Sequence, residues 1–334
     1  MKSPDSGQGF FFGRLLAGSG RTLPFIRMSL ESANFFPARA GGRHVRVAWH
    51  GSRTSPHSLH SAAMHPAHRR LLALVLSTCS LLSLAACASG SNAGRAMEAA
   101  PAEGRFIAIH EKASTRENQA EARLWKERKL LEDFVDAMNS YIRIPRDIKV
   151  IAKECGESNA YFDPETSSIE MCYEMSAEER ARFEAAGDAA EDIDNALYQS
   201  AVGTLYHELG HALISELELK ITGREEDVAD QLAAYVLTAD DESRAFLVTV
   251  ADTYVLSAQE QTRIEDLPTA GTHSLDFQRA VNFLCYLYGS DAGTFGYLVK
   301  DGTLPEERAE NCEHEYGQLV DAWESLLKPY LKPE

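Results

Sequence analysis

Two histidines and a glutamate in the run His207-Glu208-Leu209-Gly210-His211 constrain this chain more than any other feature. Side chains four residues apart on an α-helix share a face, so both imidazoles can bind one metal ion. Glu208 follows His207 directly and can reach a water molecule beside that metal, which makes it a candidate general base. The motif therefore predicts a helix that carries a metal site on one face.

The residues before the motif have the pattern of an amphipathic helix. Apolar side chains recur at helical spacing at Tyr198, Val202, Leu205 and Leu209. Such a stripe would pack against the body of the domain, and Asp194 or Asn195 could cap the start of the helix. Gly210 lowers helix propensity by about 1 kcal/mol, which indicates that another part of the chain approaches the backbone there. The alternative is an ordinary amphipathic helix with two histidines facing the core.

An acidic segment downstream supplies a candidate third ligand. Catalytic zinc usually takes three protein ligands, and Leu217 occupies the position of the third histidine in a metzincin, which excludes that pattern. Glu226 and Asp230 lie one helical turn apart, so Glu226 could bind metal while Asp230 accepts a hydrogen bond from a ligand histidine. Glu225 is the alternative ligand if this helix is rotated. A solvated acidic face at a helix N-terminus is the alternative to any metal site.

The two segments together resemble the gluzincin arrangement of thermolysin-like peptidases, in which an HExxH helix is followed by a helix with the pattern E-x-x-x-D. The resemblance implies one zinc ion per chain, bound by His207, His211 and Glu226, with Asp230 as the hydrogen-bond partner of His207. The chain is also similar, over roughly residues 125–330, to a bacterial family of metallopeptidases named only as a domain of unknown function. The spacer between the motif and the acidic ligand is shorter here than in thermolysin.

The same resemblance implies further site residues. Residues 159–173 read as two strands joined by a turn that contains Asp-Pro. Asn159 and Ala160 would lie on the sheet edge that binds a substrate peptide through backbone hydrogen bonds, although an ordinary hairpin is the alternative. His273 would donate a hydrogen bond to the oxyanion of the tetrahedral intermediate, with Arg279 as the second candidate. A structural loop histidine is the alternative for His273.

The composition of the chain changes near residue 87. Residues 1–86 hold ten Lys and Arg but only two acidic residues, although the whole chain has a net charge of −17. A basic segment, an apolar run and the sequence Leu-Ala-Ala-Cys predict a lipoprotein signal peptide over 64–86 and lipidation of Cys87. A transmembrane anchor is the alternative, which the short apolar run disfavours. We expect a non-native or disordered extension over 1–63, a flexible tether over 87–104 and a metallopeptidase domain over 105–334.

The predicted lipid anchor indicates a location in the bacterial cell envelope. By resemblance to other lipoproteins, the residue after the lipidated cysteine, Ala88, favours the outer membrane, with the domain facing the periplasm. The strong acidity argues against nucleic acid as a partner. It would also repel an anionic lipid surface, so we expect the acyl chains to provide the attachment to the membrane.

Four cysteines remain after the predicted signal peptide and Cys87. An even number in an oxidising compartment suggests two disulfide bonds. Of the three possible pairings we favour Cys155 with Cys172, which flank the predicted hairpin, and Cys285 with Cys312, which lie in the C-terminal helical region. Their spacing, without a C-x-x-C pair, disfavours a cysteine metal site.

Together these features predict an α+β fold of the zincin-like, thermolysin-like type, with a small sheet, the active-site helices and a mainly helical C-terminal half. The expected function is a zinc-dependent peptidase acting on a peptide or protein substrate, in which a metal-activated water attacks the peptide bond and Glu208 is the general base. Two alternatives stay open. One is a catalytically silent envelope lipoprotein that uses the zincin fold as a binding module, and the other is a hydrolase of cell-wall amide bonds.

Overall fold

One four-stranded sheet and a larger set of helices make up the described part of the chain. The computed structural model describes residues 103–261, 263 and 267–333 of the 334-residue chain. The predicted extension, the signal peptide, Cys87 and the tether up to residue 102 lie outside these residues. The strands are β1 (Phe106–His110), β2 (Ile148–Lys153), β3 (Ala160–Asp163) and β4 (Ser168–Cys172).

The helices of the described residues differ widely in length. The longer ones are α1 (Arg116–Glu127), α2 (Leu130–Tyr141), α3 (Tyr173–Ala186), α4 (Ala190–Glu216), α5 (Glu225–Thr238), α7 (Phe246–Glu260), α8 (Asp276–Ser290) and α12 (Cys312–Leu327). The short ones are α6 (Asp241–Arg244), α9 (Ala292–Phe295), α10 (Tyr297–Lys300) and α11 (Glu306–Ala309). Helices therefore dominate everything after β4, and the predicted α+β class is confirmed. No helix of the described residues has both the length and the apolar character needed to cross a membrane.

The sheet is mixed, with the strand order β1-β2-β4-β3. Strand β2 pairs in parallel with β1 and β4, while β3 pairs with β4 in antiparallel orientation, which confirms the predicted hairpin. The parallel pair β1–β2 is possible because α1 and α2 form the crossover between the two strands. Every residue of β4 is buried, as expected for a strand with neighbours on both sides. Within the described residues β3 forms an edge of the sheet.

Helix α4 runs through the centre of the fold and packs against the sheet, α5 and α7. The predicted apolar stripe of this helix is buried: Tyr198, Val202, Leu205 and Leu209 are each at most 5% exposed. Tyr206 on α4 contacts Phe134 of α2 with ring centroids 5.7 Å apart, and Phe134 meets Phe106 of β1 edge to face at 6.1 Å. These aromatic contacts fix α4 against the layer formed by the sheet and α2.

The predicted start of α4 is wrong. The helix begins at Ala190, one turn before the residues proposed as its cap. Asp194 instead forms an ion pair with Arg180 at 2.8 Å, and the side-chain oxygen of Asn195 accepts a hydrogen bond from Arg128 at 2.9 Å. Both side chains bind arginines outside α4, and this tertiary pairing outweighs the local preference of Asp and Asn for a helix N-terminus.

Two disulfide bonds have the predicted pairing. Cys155 is bonded to Cys172, which joins the segment after β2 to the end of β4. Cys285 is bonded to Cys312, which joins α8 to the start of α12. The first bond fixes the loop that leads into β3, and the second holds together two helices of the C-terminal half.

Candidate metal centre and the surrounding cleft

Gly210 allows α4 and α5 to approach each other closely. A Cβ atom added at Gly210 would lie 2.8 Å from the Cα atom and 3.0 Å from the Cβ atom of Ala229 on α5. Any larger residue would therefore push the two helices apart. The expected close approach at Gly210 is confirmed, and it brings the histidine face of α4 to the first turn of α5.

Three ligand-type atoms from the two helices converge on one point. The Nε2 atoms of His207 and His211 lie 3.2 Å apart, and they lie 3.3 Å and 3.1 Å from the Oε2 atom of Glu226. His207 is 6% exposed, whereas the side chains of His211 and Glu226 are 15% and 18% exposed. The group is therefore half-buried, with access from one side.

The spacing of these three atoms fits a tetrahedral metal ion. Ligand atoms that each lie about 2.0–2.1 Å from a tetrahedral zinc ion are separated from one another by about 3.3 Å. The observed separations of 3.1–3.3 Å agree with that value. Two imidazoles and one carboxylate are also a donor set found at catalytic zinc sites. The side chains that converge here therefore fit a zinc ion both in geometry and in chemistry.

Carboxylates fix the orientation of both histidine rings. The Nδ1 atom of His207 lies 2.8 Å from Asp230 Oδ1, and the Nδ1 atom of His211 lies 2.9 Å from Glu225 Oε1. Because an ionised carboxylate can only accept, each Nδ1 atom carries the hydrogen. The Nε2 lone pairs of the neutral rings then point toward Glu226, where three electron-rich atoms need a cation or protons between them.

The same carboxylates shift the pKa values of the cluster. Burial alone would lower the pKa of His207, but the hydrogen bonds with Asp230 and Glu226 raise it to about 9. For His211, burial again acts to lower the pKa, and the hydrogen bonds with Glu226 and Glu225 raise it above the ordinary value. Burial opposes ionisation of Glu226, but three histidine hydrogen bonds hold its pKa well below the usual range. Positive charge is thus favoured at this point.

Arg279 holds Asp230, the hydrogen-bond partner of His207, in position. Its guanidinium donates to both oxygens of Asp230, at 2.8 Å and 2.7 Å, and lies 4.1 Å from the centre of the Tyr254 ring. Burial of Asp230 opposes its ionisation, but the charge of Arg279 and the hydrogen bond with His207 lower its pKa to about 2. Arg279 is 8% exposed, and both contacts with Asp230 commit it to positioning His207.

His273 lies beside the candidate ligands. Its Nε2 atom is 2.9 Å from Glu226 Oε2, and its ring stacks on that of His207 with centroids 5.8 Å apart. The side chain is 48% exposed, so it faces the solvent-accessible side of the cluster. Arg224 holds this loop by donating to the carbonyl oxygens of Thr272 and His273 at 2.7 Å and 2.8 Å. The start of α5 therefore positions His273 as well as Glu226.

Glu208 lies next to the convergence point with one oxygen unsatisfied. The residue is 4% exposed, and its Oε2 atom is buried without a hydrogen-bond partner among the described residues. Burial raises the pKa of Glu208 above its ordinary value. A carboxylate with a free oxygen and a raised pKa has the properties of a general base.

A cleft of about 870 Å³ joins the predicted site residues. Its lining includes Asn159, Ala160, His207, Glu208, His211, Glu226 and His273. Within the described residues β3 pairs only with β4, and Ala160 lies opposite Met171 in that pairing. The structure therefore brings β3 and the candidate metal ligands to the same cleft. Asp230 does not line the cleft and contacts His207 at the Nδ1 atom of the ring.

Three contacts of this site are not evident from the sequence. The sequence offers Glu225 as an alternative ligand, but in the structure it lies on the Nδ1 side of His211. The acidic run at the start of α5 could have suggested this role, since neighbouring carboxylates can serve one site in different ways. The contacts of Arg224 with the loop before α8 and of Arg279 with Asp230 join residues almost fifty positions apart, and no local pattern points to them.

A comparison with known protein families gives one match. A family model described as "Putative metallopeptidase" matches residues 110–327, which is more than half of the chain. The matched region runs from the last residue of β1 to the last residue of α12 and includes every residue of the candidate metal centre. No curated protein and no solved structure matches the chain.

Proposed function

Since the chain belongs to the family described as "Putative metallopeptidase", we propose that it is a zinc-dependent peptidase of the gluzincin type. His207, His211 and Glu226 would hold the metal, and Glu208 would act as the general base. The observation that carries the proposal is the mutual separation of 3.1–3.3 Å among the three ligand atoms. A bound zinc ion would polarise the substrate carbonyl and lower the pKa of water to about 7.

Glu208 would carry the proton through the reaction. Its free Oε2 atom would take a proton from the attacking water and later deliver it to the nitrogen of the leaving amine. Burial supports this role, because a raised pKa makes the carboxylate of Glu208 a better proton acceptor. Such proton transfer contributes about 10²–10⁴-fold to the rate of an enzyme.

His273 would stabilise negative charge on the carbonyl oxygen as water attacks. The half-exposed position of its ring beside Glu226 and His207 supports this role. Preorganised donors of this kind contribute about 10²–10³-fold to the rate of acyl transfer. Arg279 is the weaker candidate because Asp230 already binds its guanidinium through two hydrogen bonds.

The edge of β3 would bind the substrate backbone. Asn159 and Ala160 line the same cleft as Glu208, and β3 has a neighbouring strand on one side only within the described residues. An extended peptide could therefore add to the sheet as a further strand, with its backbone held by hydrogen bonds. This arrangement would place a peptide carbonyl near the candidate metal ligands.

We also propose that the peptidase domain has a zincin-like fold and works at a membrane surface. The α4–α5 pair and the small mixed sheet support the fold assignment. The sequence of residues 64–87 supports a cleaved signal peptide, lipidation of Cys87 and export to the bacterial envelope, facing the periplasm from the outer membrane. Metabolic labelling with a fatty acid, compared between the wild type and Cys87→Ala, would test the anchor.

Peptide cleavage by Glu208→Gln tests the proposed reaction. We expect this variant to bind zinc like the wild type but to lose about 10²–10⁴-fold in kcat/KM, because the proton acceptor is gone. Cleavage of casein and of a peptide library measures the loss, with zinc per chain determined on the same samples. Glu191→Gln, an exposed position on the same helix, is the matched control and should keep full activity.

Three outcomes would contradict the proposal in different ways. Full activity of Glu208→Gln would remove the general base from the mechanism. Zinc binding without cleavage by the wild type would favour the binding module, and cleavage of cell-wall amides alone would favour a cell-wall hydrolase.

A further inference from the structure

A second cavity opens directly beside the candidate general base. It has a volume of about 220 Å³ and shares Asn159, His207, Glu208 and His273 with the larger cleft. From there it extends to side chains of α3 and α7 that no step of the proposed reaction uses. A side chain next to the bond being cleaved would therefore have this cavity within reach.

Glu179 on α3 lines this cavity, and only one of its two carboxylate oxygens has a hydrogen-bond partner among the described residues. The residue is 8% exposed, and its Oε1 atom accepts a hydrogen bond from Ser200 Oγ at 2.9 Å. Its Oε2 atom is buried and has no hydrogen-bond partner among the described residues. A buried carboxylate oxygen without a partner is costly to the fold, so a role in binding a donor would explain it.

Apart from Glu208, the carboxylates and guanidinium groups that line the cavity with Glu179 already have partners. Arg279 binds Asp230 through two hydrogen bonds, and Arg182 forms ion pairs with Glu178 and Glu260. The Oδ2 atom of Asp276 accepts hydrogen bonds from Ser257 and Gln261. Among the described residues, the buried side-chain atoms that line the cavity without a hydrogen-bond partner are the Oε2 atoms of Glu179 and Glu208, and both are acceptors. A ligand with hydrogen-bond donors and positive charge complements such a lining.

The position of Glu179 indicates how long the ligand has to be. Its partner Ser200 lies on α4 eight residues before Glu208, which corresponds to roughly 12 Å along the helix axis. The side chain of Glu179 covers part of this separation, and a long substrate side chain is needed to cover the rest. Lysine and arginine are the longest side chains that end in a charged donor, and their apolar stems suit neighbours such as Met175 and Val250.

We propose that this cavity binds a lysine or arginine side chain of the substrate, next to the bond that is cleaved, with Glu179 as its anionic partner. The proposal rests on the proposed peptidase function and adds the substrate class. Burial raises the pKa of Glu179 to about 7, and the approach of a cation would favour its ionised form. Substrates with an apolar residue at this position would leave Glu179 Oε2 unpaired and are expected to react more slowly.

A pair of matched peptides tests the substrate class. The sites at which the zinc-loaded wild type cleaves a peptide library show which residues flank the bond, and lysine and arginine should be enriched at one flanking position. Two peptides that differ only there, lysine against norleucine, then give a ratio of kcat/KM values. We expect Glu179→Gln to reduce this ratio about tenfold or more, because the charged hydrogen bond is lost. Glu184→Gln, an exposed position on the same helix, should leave the ratio unchanged.

The possible failures are distinguishable. Cleavage without preference for basic residues, or an equal ratio in Glu179→Gln and the wild type, would overturn the pocket but leave the peptidase proposal intact. If no peptide is cleaved, the peptidase proposal fails, and the pocket is tested by titrating the zinc-loaded protein with n-butylammonium and with neutral n-butanol. Saturable binding of the cation by the wild type and its loss in Glu179→Gln would support the pocket. Equal binding of both probes, or of neither, would overturn it.

Discussion

The two histidines of the candidate site have hydrogen-bond partners that differ in burial, and we expect this difference to affect metal binding. Asp230, which binds His207, is 6% exposed and is itself held by Arg279. The side chain of Glu225, which binds His211, is 51% exposed. Since water screens the exposed contact, the buried pair should contribute more to the orientation of its ring.

Zinc affinity measured against a competing chelator tests this difference. We expect Asp230→Asn to weaken zinc binding about 10–100-fold, because His207 loses the partner that fixes its orientation. Glu225→Gln should lose tenfold or less. Glu242→Gln, at an exposed position on α6, is the control and should bind zinc like the wild type. Equal losses for Asp230→Asn and Glu225→Gln would contradict the role assigned to burial.

Sequence spacing was informative where the contacts are local. His207, Glu208 and His211 share one stretch of helix, so the helical repeat alone places them together. The choice between Glu225 and Glu226 depends on how α5 is rotated against α4, which a single sequence does not specify. Arg279 could not be assigned to Asp230, because that pairing depends on the packing of α8 against α5.

The crossing of α4 and α5 is the element-scale feature on which the site depends. They approach each other closely at Gly210, one residue before His211, so a larger residue there would move Glu226 relative to both histidines. Glycine in the middle of a helix costs about 1 kcal/mol relative to alanine. The close contact with Ala229 explains why glycine occupies this position in spite of its low helix propensity.

Gly210→Ala should destabilise the fold although alanine is the better helix former. The added Cβ atom would meet the backbone of Ala229 at 2.8 Å, and overpacking of this kind costs about 1–3 kcal/mol. Urea unfolding gives the free energy, and a chelator competition shows whether zinc affinity falls with it.

Gly317→Ala is the matched control for this prediction. Gly317 lies inside α12, and a Cβ atom there would meet nothing within 4 Å. The substitution should therefore stabilise the protein by about 0.5–1 kcal/mol. The same stabilisation for Gly210→Ala would contradict the close packing of α4 against α5.

Sequence patterns within one segment predict the helices and the hairpin, but they do not predict how distant segments pair. The alternation and the Asp-Pro turn of residues 159–173 predicted the β3–β4 hairpin, because its strands are neighbours in sequence. The parallel pairing of β1 with β2 joins residues about forty positions apart, and no local sequence pattern specifies it. The start of α4 could not be predicted from its own segment, because Asp194 forms an ion pair and Asn195 accepts a hydrogen bond outside the helix.

For the whole molecule, the buried Glu179 makes stability depend on pH. Burial raises the pKa of its carboxyl group from 4.5 to about 7 in the folded protein. The folded state therefore keeps a proton that the unfolded chain releases at lower pH. This contribution to stability is fully present below pH 4.5 and is lost as the pH rises through about 7.

Glu179→Gln should remove this part of the pH dependence. Between about pH 4.5 and pH 8 the wild type should lose on the order of 3 kcal/mol more than the variant, because each pKa unit corresponds to about 1.4 kcal/mol. Urea unfolding of both proteins at a series of pH values gives the difference, and shared contributions from other groups cancel. Parallel curves for the two proteins would show that Glu179 ionises in the folded state as freely as in the unfolded chain.

A crystal of the protein soaked in zinc and measured at the zinc absorption edge tests the central claim most directly. The anomalous signal should place one ion per chain about 2.0–2.2 Å from the Nε2 atoms of His207 and His211 and from a carboxylate oxygen of Glu226. In Glu226→Gln the peak should be lost or strongly reduced. A zinc ion bound elsewhere, or bound by the two histidines with the carboxylate of Glu226 turned away, would contradict the account.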